Sequence, residues 1–354
     1  MAKNNLYQFK YKDMEFSKDG QLDELIALDR YAIPSYDDFA VGDTVVAIVE
    51  ENMGTKKVGV INGIVSDDEY KVTDRFGEVH TIRKELIQKP LETRPAQLWD
   101  RWAKGAASVE ETEELQRFWE NEFRWLFDGF RYSLGGRIQL MLGQEYVTGQ
   151  KANLTAYNCY VIKSPRSKES AVEQFLEVIE VAEYEGNIMR RGGGVGMNIS
   201  LINTVAGAGR SPEFFTFVLP ENHKDYQELL DRTDLGKFNG VTTVTEKPAG
   251  NDYTYVKVGD SVESLFTAMK EMITASYDSN VKQVVVDFSD IRYRNAIVKG
   301  VNGRSSGAVS WMELFVLMAQ LAQQEQIDNV EFAEIFSQIV HLIIQGGSRL
   351  MSLA

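Results

Sequence analysis

Near the start of the chain, Leu22, Leu25, Ile26 and Leu28 recur at helical spacing and stop at the Pro34-Ser35 break, which predicts one short amphipathic helix. The pattern then shortens to strands: Thr44 to Val49, Lys57 to Val65, Tyr70 to Thr73 and Glu78 to Ile82, separated by Asn52-Met53-Gly54, Ser66-Asp67-Asp68 and Arg75-Phe76-Gly77. From Pro95 to Tyr132 the residues Trp99, Trp102, Phe118, Trp119, Phe123, Trp125, Leu126 and Phe130 return to spacings of three, four and seven. That stripe predicts helices with an aromatic core face. Glu169 to Arg190 predicts another helix, with Val172, Phe175, Leu176, Ile179 and Ala182 inward and Arg190-Arg191-Gly192 as its end.

Residues 204–259 are more polar and less periodic, and are expected to leave the main fold as an excursion. A helix is predicted from Asp260-Ser261-Val262-Glu263, where Asp260 and Glu263 stand at capping-box spacing. Gln283 to Phe288 reads as a buried strand, and Ser310 to Ile344 as two helices meeting at Asp328-Asn329. The resulting organisation is α/β: a helical segment at 1–40, an SH3-like β-barrel at 41–89, a helical region at 90–134, and a larger unit from 135 to 354.

Composition narrows the class. The chain has 354 residues, 38 Lys+Arg against 52 Asp+Glu, and a net charge of -14, so a polymeric nucleic acid partner is not expected. One cysteine makes no internal disulfide and no thiolate metal cage. The three histidines, His80, His223 and His341, show no ligand spacing, so no metal site is predicted. The N-terminus lacks the apolar core of a signal peptide, and the longest apolar stretch, Ala308 to Ala322, is too short to span a bilayer. A cytoplasmic protein with no membrane partner is the expectation.

Candidate chemistry lies in the glycine turns and at the cysteine. Glycine lets backbone approach a ligand closely, and such turns occur at Gly135-Gly136-Arg137, Gly192-Gly193-Gly194-Val195-Gly196, Gly303-Arg304-Ser305-Ser306-Gly307 and Gly346-Gly347-Ser348-Arg349. None forms a P-loop, and the run at Gly192 follows a helix and opens a strand, the reverse of the dinucleotide-binding order. Cys159, in Asn158-Cys159-Tyr160-Val161, reads at the start of an apolar strand as a buried small hydrophobe.

Taken in order, Gly135-Gly136-Arg137, Asn158-Cys159-Tyr160-Val161, the Gly192 turn, Asp260-Ser261-Val262-Glu263, Asp287-Phe288-Ser289-Asp290-Ile291-Arg292, the Gly303 turn and the Gly346 turn resemble the N-terminal part of an adenosylcobalamin-dependent (class II) ribonucleotide reductase. The resemblance implies the first part of a ten-stranded α/β barrel and reduction of ribonucleotides by thiyl-radical chemistry. It implies that Cys159 is one of the redox cysteine pair, buried against the ribose, and that Asn158, Gly193 and Gly194 lie in the substrate site. Gly303, Arg304, Ser305 and Ser306 correspond to the first specificity loop, and Gly346, Gly347, Ser348 and Arg349 to the second. An insertion at about 204–290 resembles the effector-site insertion of monomeric members.

The family also uses a radical-bearing cysteine, a second redox cysteine and a terminal cysteine pair, and Cys159 is the single cysteine here. The expectation is one piece of a split reductase, inactive alone. Its implied cofactor is adenosylcobalamin, and its implied partners are a C-terminal reductase chain, a ribonucleotide, which the likeness of the insertion to that of monomeric members makes a triphosphate, a deoxynucleotide or ATP effector, and a dithiol reductant protein. The alternative is a non-catalytic nucleotide-binding regulatory paralogue; the plainest is an SH3-like interaction module on an α/β domain.

Overall fold

The structure is a computed structural model and describes residues 8–16, 22–50, 53–152, 154–210, 214–231, 241–250, 252–298 and 303–345. The chain divides into two compact units, one of Met1–Ala156 and one built from Tyr157–Lys299 and Gly303–Ala354.

In the first unit, α1 (Leu22–Ile26) runs into a π turn at Ala27–Tyr31. Strands β1 (Pro34–Ser35), β2 (Thr44–Glu50), β3 (Thr55–Ile64), β4 (Glu69–Asp74), β5 (Val79–Arg83) and β6 (Ile87–Pro90) form an antiparallel sheet in the order β1-β6-β2-β3-β4-β5. The meander β2 to β5 ends in a 3-10 turn, Lys84–Leu86, that returns the chain so that β6 pairs with β2. Strand β2 is buried on both faces, which explains its unbroken Thr-Val-Val-Ala-Ile-Val run. Val45 and Ala47 pack with Ile61, Val72 and Ile87, whereas Val46 joins Trp99, Trp102 and Phe127.

Helices α2 (Pro95–Ala107), α3 (Glu113–Phe127), α4 (Gly136–Met141) and α5 (Glu145–Thr148) complete this unit. Pro95 sits in the first turn of α2, and the Gln97 side chain accepts the N–H groups of Thr93 and Arg94. The aromatic stripe divides, contrary to a single core face. Of the stripe, Trp99 and Trp102 are buried, while Phe118, Trp119, Trp125 and Phe130 are exposed, because α3 turns Arg124 and Phe127 inward and its other aromatic residues lie on its other sides.

The second unit holds β7 (Cys159–Val161), α6 (Ala171–Met189), β8 (Gly194–Gly196), β9 (Val205–Ala206), β10 (Phe215–Val218), α7 (Tyr226–Asp231), β11 (Val241–Val244) and β12 (Thr254–Lys257). It continues with α8 (Val262–Tyr277), β13 (Val284–Asp287), β14 (Ile297–Val298), β15 (Gly303–Arg304), α9 (Ala308–Gln323), β16 (Gln326–Ile327) and α10 (Asn329–Gln345). Strands β11-β10-β13-β12, in that order, make a parallel sheet. Its central strands, Phe-Thr-Phe-Val and Val-Val-Val-Asp, are buried throughout, as strands covered on both faces are. Helices α6, α8, α9 and α10 contribute Phe175, Phe266, Met269, Phe315 and Phe332 to the same core.

The polar stretch 204–259 supplies β10, β11 and β12, and its polarity lies in the connections between them. The expected cap of the following helix is corrected. Helix α8 is capped by Ser261, whose Oγ accepts the Ser264 N–H at 3.1 Å, not by Asp260. Asp260 is drawn to Arg292 instead, accepting from its Nε at 2.6 Å. At α10, Asp328 accepts the Val330 and Glu331 N–H groups while Glu331 accepts that of Asp328, a reciprocal cap where the sequence places the helix boundary.

Candidate functional site

Strands β7 and β8 are parallel neighbours joined through α6, with Cys159 opposite Gly194 and Val161 opposite Gly196. The Asn158 carbonyl accepts the Gly194 N–H at 2.7 Å. Asn158, Cys159, Gly193 and Gly194 are thus brought together by strand pairing. Gly193 has no room for a side chain: a Cβ there would meet the Tyr160 ring at 2.8 Å and also the Ile188 side chain. A Gly193→Ala chain is expected to push Tyr160 out and loosen the β7–β8 pair, at a cost of about 1–3 kcal/mol. Urea unfolding checks this, and an unchanged midpoint would contradict it.

Cys159 is not buried. Side chains alternate along β7, so Tyr160 packs towards Ile188 while Cys159 and Val161 share the opposite face, where Cys159 is exposed and Val161 is 93% exposed. Tyr157 beside them is 74% exposed. A thiol on this face is open to reagents and partners.

Gly303 and Arg304 form β15, the second strand of a β14–β15 hairpin in which Ile297 pairs with Arg304 and Val298 with Gly303, and Ser305 to Gly307 follow it. Ser305 and Ser306 are buried. Ser305 serves the backbone: its N–H donates to Ala296 O at 2.8 Å, its carbonyl accepts from Asn295 N at 2.9 Å, and its Oγ accepts the Gly307 N–H at 3.0 Å. The Arg304 guanidinium donates to Asn295 O at 3.2 Å. Gly346, Gly347, Ser348 and Arg349 lie outside the described residues.

Sequence reading missed a polar cluster at the carboxyl end of the parallel sheet. Lys257 reaches Ser289 Oγ at 2.5 Å, Asp290 Oδ1 at 3.1 Å and Asp287 Oδ2 at 3.3 Å, and the Tyr255 hydroxyl donates to Asp287. Lys247 stands 4.1 Å from the Tyr255 ring centre. Burial pushes the Asp287 carboxyl up, but the bonds from Tyr255 and Ser289 and the nearby Lys257 charge outweigh it and hold it below the usual carboxylate range. Burial and the same carboxylate push the Tyr255 phenol up. The available signal was the alternation Tyr253, Tyr255, Lys257 leading into and along β12.

In the first unit, Asp74, Glu78 and His80 present oxygen and nitrogen atoms close enough to surround a cation. Lys57 already fills that role, its Nζ lying 2.6 Å from Asp74 Oδ2 and 2.7 Å from Glu78 Oε2. The cluster is therefore an ion-pair network.

Residues 215–322, which run from β10 into α9, match the family model described as "B12-dependent ribonucleotide reductase, insertion domain". The chain is 26% identical over 247 residues to the adenosylcobalamin-dependent ribonucleoside-triphosphate reductase of Lactobacillus gasseri, an alignment covering 64% of this chain and 32% of that protein. The crystal structure of a B12-dependent (class II) ribonucleotide reductase superposes with a TM-score of 0.47 at 18% identity, covering 70% of this chain and 37% of that one. The chain is a relative of the B12-dependent ribonucleotide reductases and resembles their N-terminal part. It spans about a third of the length of these relatives. The matched span shares residues 215–290 with the insertion expected at 204–290, and also takes in the hairpin. Among the described residues no helix is long and apolar enough to cross a membrane.

Proposed function

We propose that the chain is one part of a split class II ribonucleotide reductase and acts on ribonucleoside triphosphates with a second, C-terminal chain. The observation that carries this reading is the match of β10 to α9 to the reductase insertion domain, preceded by an Asn158-Cys159 strand paired to the Gly193-Gly194 turn. In the proposed reaction the ribose C2′–O bond breaks and the oxygen leaves as water. Two thiols supply the electrons and become a disulfide, one of them Cys159 and the other on the partner, where a thiyl radical starts the step. A dithiol protein then re-reduces the pair.

The exposed face of Cys159 and Val161 supports a covering partner, because an apolar strand face left in water is costly. In this reading β7 and β8 belong to the ten-stranded barrel that the partner completes. The antiparallel sheet of the first unit is read as an SH3-like docking module. The carboxyl end of the parallel sheet, where open α/β sheets bind ligands, is read as the site of a deoxynucleotide or ATP effector. The adenosylcobalamin named for the relatives finds no imidazole ligand here: His80 faces Asp74, both nitrogens of His223 are engaged, and His341 has a partner. Its site is assigned to the C-terminal chain.

The test is a reductase assay with adenosylcobalamin and dithiothreitol, using this chain alone, with a candidate C-terminal chain, and with Cys159→Ser plus that chain. Turnover is expected only in the wild-type mixture, and Cys159→Ser should abolish it. Turnover by the chain alone would refute the split. Because Cys159 is the single cysteine, a second reading stays in play, a regulatory nucleotide-binding paralogue. A silent mixture whose chain binds deoxynucleotides would favour it.

A further inference from the structure

Helix α3 turns its apolar side outward. With about 3.6 residues to the turn, Leu115, Phe118, Trp119, Trp125 and Leu126 gather on one side of it, and Gln116, Arg117, Glu120, Asn121 and Arg124 on the other. The side that packs inward is the polar one. The buried residues of α3 are Arg124 and Phe127, while Leu115, Phe118, Trp119 and Trp125 each keep between 37% and 43% of their surface in water. An apolar cluster of this size on the surface marks an interaction site.

The helix cannot roll to hide those side chains. Arg124 donates to Asp100 and, at 3.2 Å, to Asp128, and its guanidinium lies 4.5 Å from the Phe9 ring centre and 5.1 Å from that of Trp99. The fully buried Asp128 also accepts the Lys10 and Tyr11 N–H groups, at 3.1 and 3.2 Å. Rotation of α3 would pull this buried charge from its partners, which costs more than the rings would gain. The outward rings are also set beforehand: Phe118 meets Trp119 edge-on at 5.3 Å, Trp119 stacks on Phe123 at 5.6 Å, and the Arg131 guanidinium lies 4.8 Å from the Trp125 ring centre. Rings already held in place lose little freedom when a partner covers them.

Charge around the face selects the partner. Between residues 110 and 122 stand Glu110, Glu111, Glu113, Glu114, Glu120 and Glu122, against Arg117 alone, which Glu113 engages at 3.3 Å. A second copy of the chain would bring like charges together, and four side chains so exposed offer about 300 Å² per copy, well under the roughly 800 Å² per partner of a stable pair. An anionic lipid surface is repelled in the same way. We propose that the outward face of α3 is a docking surface for a helix of another protein chain, one that carries an apolar stripe at helical spacing and lysine or arginine flanks. Such a helix meets the rings and the carboxylates at once, as amphipathic helices laid against apolar surfaces do.

The experiment uses the full chain and two labelled 15-residue synthetic peptides, both with leucine at helical spacing, one with lysine and one with glutamate at every other position. Fluorescence anisotropy should show the lysine peptide binding with a dissociation constant of about 10 μM and the glutamate peptide at least about tenfold more weakly. Phe118→Ser/Trp119→Ser, which alters exposed side chains and should leave thermal unfolding unchanged, should weaken the lysine peptide about tenfold. Glu114→Gln/Glu122→Gln should cut the preference between the peptides to about threefold. Equal binding of the two peptides overturns the proposal, as does a lysine peptide that binds the serine double variant as well as the wild type, since it then sits elsewhere on an acidic chain. Sedimentation of the chain alone supplies the last check: self-association that Phe118→Ser/Trp119→Ser abolishes gives the face to a second copy and overturns the assignment to another protein.

Discussion

An Arg101→Leu chain is expected to lose about 3–5 kcal/mol of stability in its first unit, because it strands a buried carboxylate. Arg101 and Glu92 are both buried and meet at 2.7 Å through the arginine Nε. The rest of the guanidinium donates to the carbonyls of Gln139 at 2.9 Å, Leu142 at 2.7 Å and Tyr31 at 2.9 Å. Glu92 also accepts the Ile33 N–H at 3.0 Å. One side chain thus ties α2 to the π turn and to α4, and its loss leaves the buried Glu92 carboxylate without its countercharge and takes a donor from the Tyr31, Gln139 and Leu142 carbonyls. Four of the five tryptophans, Trp99, Trp102, Trp119 and Trp125, lie in this unit, so urea unfolding followed by tryptophan fluorescence reports on it. The double variant Arg101→Leu/Glu92→Leu should recover much of the loss, since the penalty comes chiefly from the unpaired charge. A single variant that unfolds at the wild-type midpoint would show that the pair is not holding the unit.

The second large effect is in pH. Glu185, on α6, is buried, with its Oε2 lacking a hydrogen-bond partner, and burial pushes its carboxyl up from 4.5 to about 8. A carboxyl that protonates more readily in the folded chain makes folding take up a proton. Below pH 4.5 both states hold that proton and no penalty arises. Between 4.5 and about 8 the unfolded chain sheds it while the folded chain keeps it, so stability falls as pH rises across that window. The fall amounts to about 3–5 kcal/mol by pH 8. Glu185→Gln, which does not ionise, should remove that slope, so that the variant gains on the wild type as pH is raised from 5 to 8. Denaturant midpoints at those two values measure it, and parallel pH profiles for the two chains would sink the assignment.

Where local pattern decides structure, the sequence was legible. Four of the six strands of the first sheet, β2 to β5, lie within about two residues of their predicted spans, since period-two alternation and glycine turns are short-range signals. Helix α6 is 171–189 against a predicted 169–190 for the same reason. The pairing of Cys159 with Gly194 was not foreseen; family likeness implied only that both lie at one site, because parallel pairing across a helix leaves no local mark. The hydrogen bonds that Asp225 accepts from the Arg294 and Ala308 N–H groups were illegible, because the fold alone brings those residues together. The burial expected of Cys159 failed for a related reason. An apolar strand looks the same in sequence whether its second face meets its own chain or another.

Strand β13 lies between β10 and β12, pairing Phe215 with Val284 on one side and Thr254 with Val284 on the other. On the ribosome, β10, β11 and β12 therefore emerge with no central strand to join β10 to β12. The buried rings of Phe215 and Phe217 then wait for some seventy more residues to be made, the spacing of the β10–β13 register. Contacts so distant in sequence form slowly, and unpaired apolar strands aggregate while they wait. Expression yield in this protein should accordingly respond to the rate of translation between β10 and β13 more than to changes elsewhere in the second unit.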